Sequence, residues 1–306
     1  MKKVFVSFKF NEVQKQRLES ISPELEFVYE PDEEASVIIG NYDTQKLKDF
    51  KRLEWMQTGA IGVEKYIQEG VLPEGVTLTN AVDIHTREVA EHVLAVILTM
   101  IKKLYLYRDD QHAHRWSDEN QVKEIGDLKV AIVGFGNIGK CLAKMLKSLG
   151  AYTIGVKREM IIKPDYLDEL YLQEDLNKAI SDVDVVVTLI PGYKENVHLF
   201  TLDTFKAMRP DTILVNAGRG NLYSEETLKK VLDTNIIRAV ASDVFEDEPL
   251  AEDSELWDYP NLLITPHIAG SYHLESAREA FVDLVAENLE RYVKGETLKY
   301  IVEKRD

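Results

Sequence analysis

The first hundred residues alternate between short apolar runs and segments whose apolar residues recur at helical spacing. Between the runs, Glu12–Ile21 and Thr44–Lys51 have the helical spacing. Strands that alternate with helices in this way form a parallel sheet covered by helices on both faces. The pattern therefore predicts an α/β domain with five strands, each rich in β-branched or aromatic residues: Lys3–Phe8, Leu25–Tyr29, Ser36–Gly40, Leu53–Gln57 and Val76–Asn80.

A longer amphipathic pattern and a polar segment follow this domain. The stretch from Glu88 to Tyr107 is predicted as one long helix. The next segment, Asp109–Glu124, is polar and contains two histidines and Trp116 without a clear period. We therefore expect an arm or loop there. The inner face of the long helix is predicted to consist of Val89, Val93, Val96, Ile97 and Met100.

The alternation of strands and helices resumes at Leu128. Six strands with helices between them are enough for a complete doubly wound dinucleotide-binding sheet. The amphipathic pattern over Ser276–Val293 predicts a last helix that returns to the first domain. We predict a substrate domain of residues 1–98 and 275–306, and a dinucleotide-binding domain of residues 99–274. The six predicted strands of the latter are Lys129–Gly134, Tyr152–Val156, Val183–Ile190, Thr212–Asn216, Ala239–Asp243 and Leu262–Thr265.

Composition and charge narrow the class of protein. Hydrophobic residues make up 45% and charged residues 29% of the 306 residues, as is typical of globular proteins with sizeable cores. The chain has 37 basic and 53 acidic residues and a net charge of −16, which disfavours nucleic acids and anionic membranes as partners. The single cysteine, Cys141, excludes an internal disulfide, and no residue spacing matches a metal site. Without an apolar leader, we expect a cytoplasmic protein.

A glycine-rich turn lies between the first strand of the second domain and an amphipathic helix. The first glycine of such a turn permits the tight bend, the second lets the backbone approach a pyrophosphate, and the third lets helix and strand pack closely. The N–H groups at the start of the helix attract an anion. The turn therefore predicts the pyrophosphate site of a dinucleotide, formed by Gly134, Phe135, Gly136, Asn137, Ile138 and Gly139.

The identity of the dinucleotide depends on the end of the next strand. Sites for NAD carry an acidic residue there, which binds the ribose hydroxyls. This chain instead has Lys157 and Arg158, two cations that suit the 2′-phosphate of NADP. The alternative is that both are solvated loop charges and that the ribose is held by other groups. We predict that the protein prefers NADP(H), and NAD(H) is the alternative cofactor.

Three segments after later strands carry chemically suitable side chains. They contain Arg219, Glu248 and His267, at the edge where open α/β sheets bind their ligands. The planar guanidinium of an arginine can bind the carboxylate and carbonyl of a 2-oxo acid. A histidine can supply the proton that the forming alkoxide needs, and a glutamate can orient the imidazole. Together they predict a site for reducing a 2-oxo acid.

These segments resemble the D-isomer-specific 2-hydroxyacid dehydrogenase family in order and spacing. The similar sequences are GFGNIG, the strand end Leu189-Ile190-Pro191, NAGRG, DVFEDEP and TPHIAG. The resemblance implies an NAD(P)-dependent reduction of a small 2-oxo acid to the D-2-hydroxy acid, as in glyoxylate/hydroxypyruvate reductases and phosphoglycerate dehydrogenases. It also implies an α/β fold with two doubly wound parallel sheets, in which a Rossmann dinucleotide-binding domain is inserted in a flavodoxin-like substrate domain.

The resemblance further implies roles for individual residues. Arg219 would bind substrate, Glu248 would be the partner of the base, and His267 would be the acid/base. Asp243 would contact the nicotinamide carboxamide. The substrate carboxylate would be gripped by the loop at Ala60, Ile61 and Gly62. Besides Arg219 and His267, further cofactor contacts would be made by Ile190, Pro191, Ala217, Gly218 and Gly270.

Two further expectations concern partners and function. The family implies a homodimer formed through the Glu88–Tyr107 helix and the Asp109–Glu124 arm. The same resemblance includes proteins that sense dinucleotides as corepressors or scaffolds, so a non-catalytic role is the alternative function. The identity of the 2-oxo acid does not follow from the sequence.

Overall fold

Buried β-branched runs form parallel strands in both halves of the chain. A computed structural model describes residues 1–303 and divides the chain into two units. Unit 1 is Met1–His85 with the C-terminal segment from Ser271, and unit 2 is Thr86–Gly270. Of the predicted range 275–306, residues 304–306 lie outside the described part of the chain.

Unit 1 contains a five-stranded parallel sheet. Its order, β2-β1-β3-β4-β5, is the flavodoxin-like order of doubly wound folds. The strands are β1 (Lys2–Val6), β2 (Leu25–Val28), β3 (Val37–Ile39), β4 (Trp55–Gln57) and β5 (Thr77–Thr79).

Unit 2 contains a seven-stranded parallel sheet. Its order, β12-β11-β10-β9-β6-β7-β8, is the Rossmann order with one strand added beyond the sixth. The predicted fold class is therefore confirmed. The strands are β6 (Lys129–Val133), β7 (Tyr152–Lys157), β8 (Glu169–Leu172), β9 (Val185–Thr188), β10 (Ile213–Asn216), β11 (Ala239–Ser242) and β12 (Leu262–Ile264).

Helices cover the faces of each sheet. In unit 1, α1 and α8 pack with the strands because apolar side chains of α8, such as Phe281 and Val285, are fully buried against Val4 and Val37. The α-helices within residues 1–303 are α1 (Glu12–Glu19), α2 (Thr86–Ile101), α3 (Leu104–His112), α4 (Asn137–Ser148), α5 (Leu176–Ile180), α6 (Leu202–Lys206), α7 (Glu225–Asp233) and α8 (Glu275–Lys294).

The boundaries of the two units differ from the predicted ones at 98/99 and 274/275. The whole of α2 belongs to unit 2, because its buried residues Val93 and Ile97 share one apolar cluster with Leu142 and Leu146 of α4. The amphipathic pattern predicted a helix in this region but did not show against which sheet it packs. The structural boundaries therefore lie at 85/86 and 270/271.

Three predicted elements were wrong in detail. The long helix over Glu88–Tyr107 is broken, because Lys103 has a left-handed backbone (φ 56°) between α2 and α3. The predicted helix Thr44–Lys51 contains only a 3₁₀ turn at Leu47–Asp49, whose three-residue repeat suffices to bury Leu47 and Phe50. The predicted arm begins inside α3, and residues 115–124 have neither helix nor strand.

The edge strand β8 has no counterpart among the six predicted strands of this domain. All four of its residues are partly exposed, and charged residues flank them on both sides. It pairs with β7 alone, along Ile154–Lys157. All seven strands of unit 2 run parallel, so the loops after their carboxyl ends lie along one edge of the sheet.

Candidate active site and dinucleotide loop

The glycine turn after β6 is sterically restricted to glycine at two positions. Gly134 has a φ of 99°, and a Cβ there would lie 2.6 Å from the carbonyl carbon of Leu189. A Cβ on Gly139 would lie 2.8 Å from the carbonyl oxygen of Gly134. A Cβ on Gly136, by contrast, would have no neighbour within 4 Å. The open side of Gly136 is the space that a pyrophosphate approaching the backbone needs.

The helix that follows the turn begins without a side-chain cap. Gly136 is the N-cap of α4 and, as a glycine, makes no side-chain capping hydrogen bond to the first turn. The first N–H groups of a helix attract an anion, so the residues present fit a dinucleotide pyrophosphate. The predicted cofactor contacts Asn137 and Ile138 are the first two residues of α4. The Phe135 side chain is instead buried in the apolar core beside Gly155.

The two predicted cations lie at the carboxyl end of β7. Lys157 is the last residue of the strand and is half-buried, and Arg158 begins the loop. Arg158 Nη1 lies 2.9 Å from Glu195 Oε1, and both side chains are about half exposed, at 48% and 50%. Sequence reasoning missed this carboxylate, since Glu195 lies 37 residues further along the chain.

The loop after β9 contains Ile190 and Pro191. Ile190 is buried, and a Cβ on Gly218 would lie 2.7 Å from its carbonyl oxygen. The Asn196 side chain donates a hydrogen bond to the Pro191 carbonyl at 2.9 Å. The first distance shows that the loop after β10 lies directly against the β9 loop, and the Asn196 hydrogen bond holds the β9 loop itself in shape.

The Arg219 loop is organised by a buried asparagine at the end of β10. Asn216 Oδ1 accepts hydrogen bonds from Thr188 Oγ1 at 2.9 Å and from the Gly218 N–H at 3.1 Å. Its Nδ2 donates to the Arg219 carbonyl at 3.1 Å and to the Tyr223 hydroxyl at 3.3 Å. Burial raises the pKa of that tyrosine, so Tyr223 is a neutral hydroxyl here. Asn216 thereby fixes the backbone that carries Arg219.

Asp243, which follows β11, connects three loops. Its carboxylate is buried, with the residue 5% exposed, and accepts from Thr265 Oγ1 at 2.5 Å. It also accepts from the N–H groups of Ile268 and Ala269, each at 3.0 Å. Its own N–H donates to the carbonyl of Asn216 at 2.9 Å. The carboxylate is therefore used inside the protein to hold the segment around His267, a role that the resemblance did not suggest.

His267 and Glu248 form a close pair. His267 Nδ1 lies 2.6 Å from Glu248 Oε2, and Glu248 Oε1 accepts the Phe245 N–H at 2.9 Å. His267 has a left-handed backbone (φ 52°), which costs a non-glycine residue about 1–2 kcal/mol. Its N–H donates to the Asp243 carbonyl at 2.8 Å, which stabilises this conformation. With Nδ1 on the carboxylate, Nε2 is the nitrogen left for a substrate.

A small cavity lies where α2 meets the ends of three strands. His92 of α2 was given no role by sequence reasoning, but its Nε2 lies 3.4 Å from Thr265 Oγ1 and 3.8 Å from Asp243 Oδ1. Of the predicted cofactor contacts, Ala217 lines this cavity. Gly270, another predicted contact, does not line it and is the last residue of unit 2. The cavity is lined by His92, Val96, Val215, Asn216, Ala217, Ala241, Ser242, Asp243, Leu263 and Thr265.

The predicted substrate loop belongs to unit 1 and follows β4. The Ala60 N–H donates to Thr58 Oγ1 at 3.1 Å, and the Ala60 carbonyl accepts the Ala81 N–H at 3.1 Å. The Ile61 carbonyl accepts from Asn80 Nδ2 at 2.8 Å. Within residues 1–303, the N–H groups of Ile61 and Gly62 have no acceptor. Such N–H groups can bind an anion.

No group of three or more His, Cys, Asp or Glu side chains within residues 1–303 is arranged to hold a metal ion. In the same range, no helix combines the length and the apolar character that crossing a bilayer requires.

Comparisons with known proteins show which proteins the chain resembles. Residues 94–269 match the family model described as D-isomer specific 2-hydroxyacid dehydrogenase, NAD binding domain. A glyoxylate reductase of Thermococcus litoralis is 29% identical over 293 residues, which cover 92% of this chain and 86% of that protein.

Solved structures of similar proteins cover nearly the whole chain. One is a D-isomer specific 2-hydroxyacid dehydrogenase family protein of Aeromonas salmonicida, with a TM-score of 0.87, 27% identity and 99% coverage of both chains. Another is an NADPH-dependent glyoxylate/hydroxypyruvate reductase of Sinorhizobium meliloti in complex with NADP and sulfate. Its TM-score is 0.85, its identity 26% and its coverage 99% of both chains.

Two glycine substitutions should separate dinucleotide binding from folding. Gly136→Ala should keep the thermal stability of the parent, because its Cβ meets no atom, but should weaken NADP⁺ binding about tenfold, or ~1.4 kcal/mol. Gly139→Ala should lower the melting temperature, since its Cβ would collide with the Gly134 carbonyl. Thermal unfolding and NADP⁺ titration measure both effects. Unchanged NADP⁺ affinity in Gly136→Ala would exclude this turn as the pyrophosphate site.

Proposed function

Since the chain belongs to the D-isomer specific 2-hydroxyacid dehydrogenase family, we propose that it reduces a small 2-oxo acid to the D-2-hydroxy acid with His267 as the acid/base. The protein is an NAD(P)-dependent dehydrogenase of 2-hydroxy acids, as the sequence resemblance predicted. The observation that supports the more specific assignment is the 2.6 Å contact between His267 Nδ1 and Glu248 Oε2. It leaves the other imidazole nitrogen available as a proton donor.

The proposed reaction assigns one task to each side chain. When bound, the dinucleotide supplies the hydride that reduces the substrate carbonyl carbon. His267 Nε2 donates the proton that the carbonyl oxygen takes up, and the Glu248 carboxylate orients the imidazole and stabilises the imidazolium from which that proton leaves. Arg219 holds the substrate carboxylate and carbonyl through its planar guanidinium. The Ala60, Ile61 and Gly62 loop is our candidate for a second carboxylate contact, supported by the unsatisfied N–H groups of Ile61 and Gly62.

We assign the substrate to short 2-oxo acids of the glyoxylate and hydroxypyruvate type. The Thermococcus litoralis and Sinorhizobium meliloti relatives named above carry these substrates in their names. The chemistry of Arg219 and His267 requires only a carbonyl next to a carboxylate, so this class fits the proposed residues. Reduction of hydroxypyruvate then gives a D-hydroxy acid, whereas reduction of glyoxylate gives glycolate, which has no stereocentre.

We also propose that NADP(H) is preferred over NAD(H). Lys157 ends β7, at the position where NAD enzymes keep an acidic residue, and Arg158 follows it. A charge-assisted hydrogen bond to the 2′-phosphate contributes ~1.5–3 kcal/mol. The Sinorhizobium relative, which is described as NADPH-dependent, supports the same preference.

Removal of the His267 imidazole should strongly lower the rate of 2-oxo acid reduction. His267→Asn should lower kcat by about 10²–10⁴-fold, because a positioned proton donor contributes that much. Binding of NADPH should persist, which fluorescence titration of the nucleotide measures. A variant with nearly unchanged kcat would remove His267 from the proposed mechanism.

Replacing the carboxylate partner should have a smaller effect. Glu248→Gln preserves the size of the side chain but removes the negative charge next to His267 Nδ1. We expect kcat to fall by less than in His267→Asn, with little change in the affinity for NADPH. Glu246→Gln is a suitable control, because that carboxylate contacts His198 instead. If both glutamate variants reduce kcat equally, Glu248 has no special role.

The wild-type preference for NADPH over NADH should be about tenfold to a hundredfold, and substitution should reverse it. Wild-type kcat/KM should be higher with NADPH than with NADH, and added salt should narrow the difference, since Arg158 is about half exposed. Replacing Lys157 with Asp and Arg158 with Ser should invert the preference, because Asp accepts bonds from the ribose and repels the phosphate. Equal kcat/KM for both nucleotides in the wild type would refute this proposal.

We propose a homodimer formed through α2, α3 and residues 113–124. Three apolar side chains of this region are exposed to solvent. Trp116 is fully exposed, and Leu104 of α3 and Val122 are about half exposed. Burial of such side chains against a second copy would stabilise an association. Sedimentation should show a particle of about twice the chain mass of 35.0 kDa, and Trp116→Ala should shift it toward the monomer. A wild-type monomer at micromolar concentration would refute the proposal.

A further inference from the structure

The ion pair between Arg158 and Glu195 lies across the strand that leads into the glycine turn. Strand β6 is flanked by β7 on one side and by β9 on the other. Arg158 follows β7 and Glu195 lies in the connection after β9, so the two side chains come from opposite sides of β6. Neighbouring strands are about 4.8 Å apart, which places these two strands roughly 10 Å from each other. A contact of 2.9 Å between the side chains therefore bridges that gap.

The turn that carries Glu195 is held in place by its neighbour. Glu195 is the middle residue of a short 3₁₀ turn, Lys194–Asn196. Asn196 is buried, its N–H donates to the Tyr193 carbonyl at 2.8 Å, and its side chain donates to the Pro191 carbonyl at 2.9 Å. These bonds hold the backbone of the turn from which the Glu195 side chain reaches Arg158.

We propose that Glu195 is a specificity-determining residue that competes with the 2′-phosphate of NADP(H) for Arg158. The inference rests on the proposed function, in which Arg158 receives that phosphate. The phosphate must displace the Glu195 carboxylate from the Arg158 guanidinium or share the guanidinium with it. The two anions also repel each other. NAD(H) has hydroxyls in that place and meets no such competition. Glu195 thereby lowers the NADP(H) preference that Lys157 and Arg158 would otherwise give.

Binding measurements with the oxidised nucleotides test this role without turnover. Glu195→Gln should bind NADP⁺ about threefold to tenfold more tightly than wild type, the range expected for loss of an exposed ion pair and of one repulsion. NAD⁺ affinity should change by less than about twofold. The control is Asp203→Asn, which removes one exposed carboxylate paired with Lys206, on α6, and should change neither affinity.

Three results would overturn the role of Glu195. They are unchanged NADP⁺ affinity in Glu195→Gln, equal tightening for NADP⁺ and NAD⁺, and the same NADP⁺ effect in Asp203→Asn. The last two would show a general effect of charge or access rather than competition with the phosphate.

A separate variant tests the premise. Arg158→Gln should weaken NADP⁺ binding, and in that background Glu195→Gln should gain less than it does in the parent. If Arg158→Gln weakens NADP⁺ binding while Glu195→Gln alone changes nothing, Glu195 is refuted and the cofactor proposal stands. If Arg158→Gln leaves NADP⁺ binding unchanged, the role of Arg158 in the cofactor proposal fails, and the inference about Glu195 fails with it.

Discussion

The buried carboxylate of Asp243 is the constraint on which the candidate active site depends. A buried carboxylate is costly unless hydrogen bonds satisfy it, and this one receives the Thr265 hydroxyl and the N–H groups of Ile268 and Ala269. Those three donors belong to the segment that contains His267. Because Asp243 itself is bonded through its backbone to Asn216, one residue connects the ends of β10, β11 and β12. Its loss would remove the acceptor of the Thr265 hydroxyl and of the Ile268 and Ala269 N–H groups at once.

The hydrogen bonds of Asp243 explain how His267 keeps a fixed position despite its strained backbone. The left-handed backbone of His267 is unfavourable by itself, and its N–H bond to the Asp243 carbonyl stabilises it. Glu248 contacts the imidazole from the connection after β11, and its carboxylate accepts a hydrogen bond from the Phe245 N–H. Asn216 does for the Arg219 loop what Asp243 does for the His267 segment. The acid/base chemistry that we propose thus depends on buried polar residues that need not touch the substrate.

The sequence predicted the features that follow from local patterns. Buried β-branched runs gave the strands of both sheets except β8, whose four partly exposed residues lack that pattern. The helix break at Lys103 was missed, since its left-handed conformation is adopted by a lysine and not by a glycine. The Glu248 and His267 contact was expected from the resemblance. The Arg158 and Glu195 contact was not, because a pair 37 residues apart depends on strand order.

The most direct test of the central assignment is NADPH oxidation with glyoxylate, hydroxypyruvate and pyruvate, together with the chirality of the product from pyruvate. We expect oxidation with at least one of these 2-oxo acids and D-lactate as the product wherever pyruvate is accepted. No oxidation with any member of the set, or formation of L-lactate, would contradict the reduction of short 2-oxo acids to D-hydroxy acids.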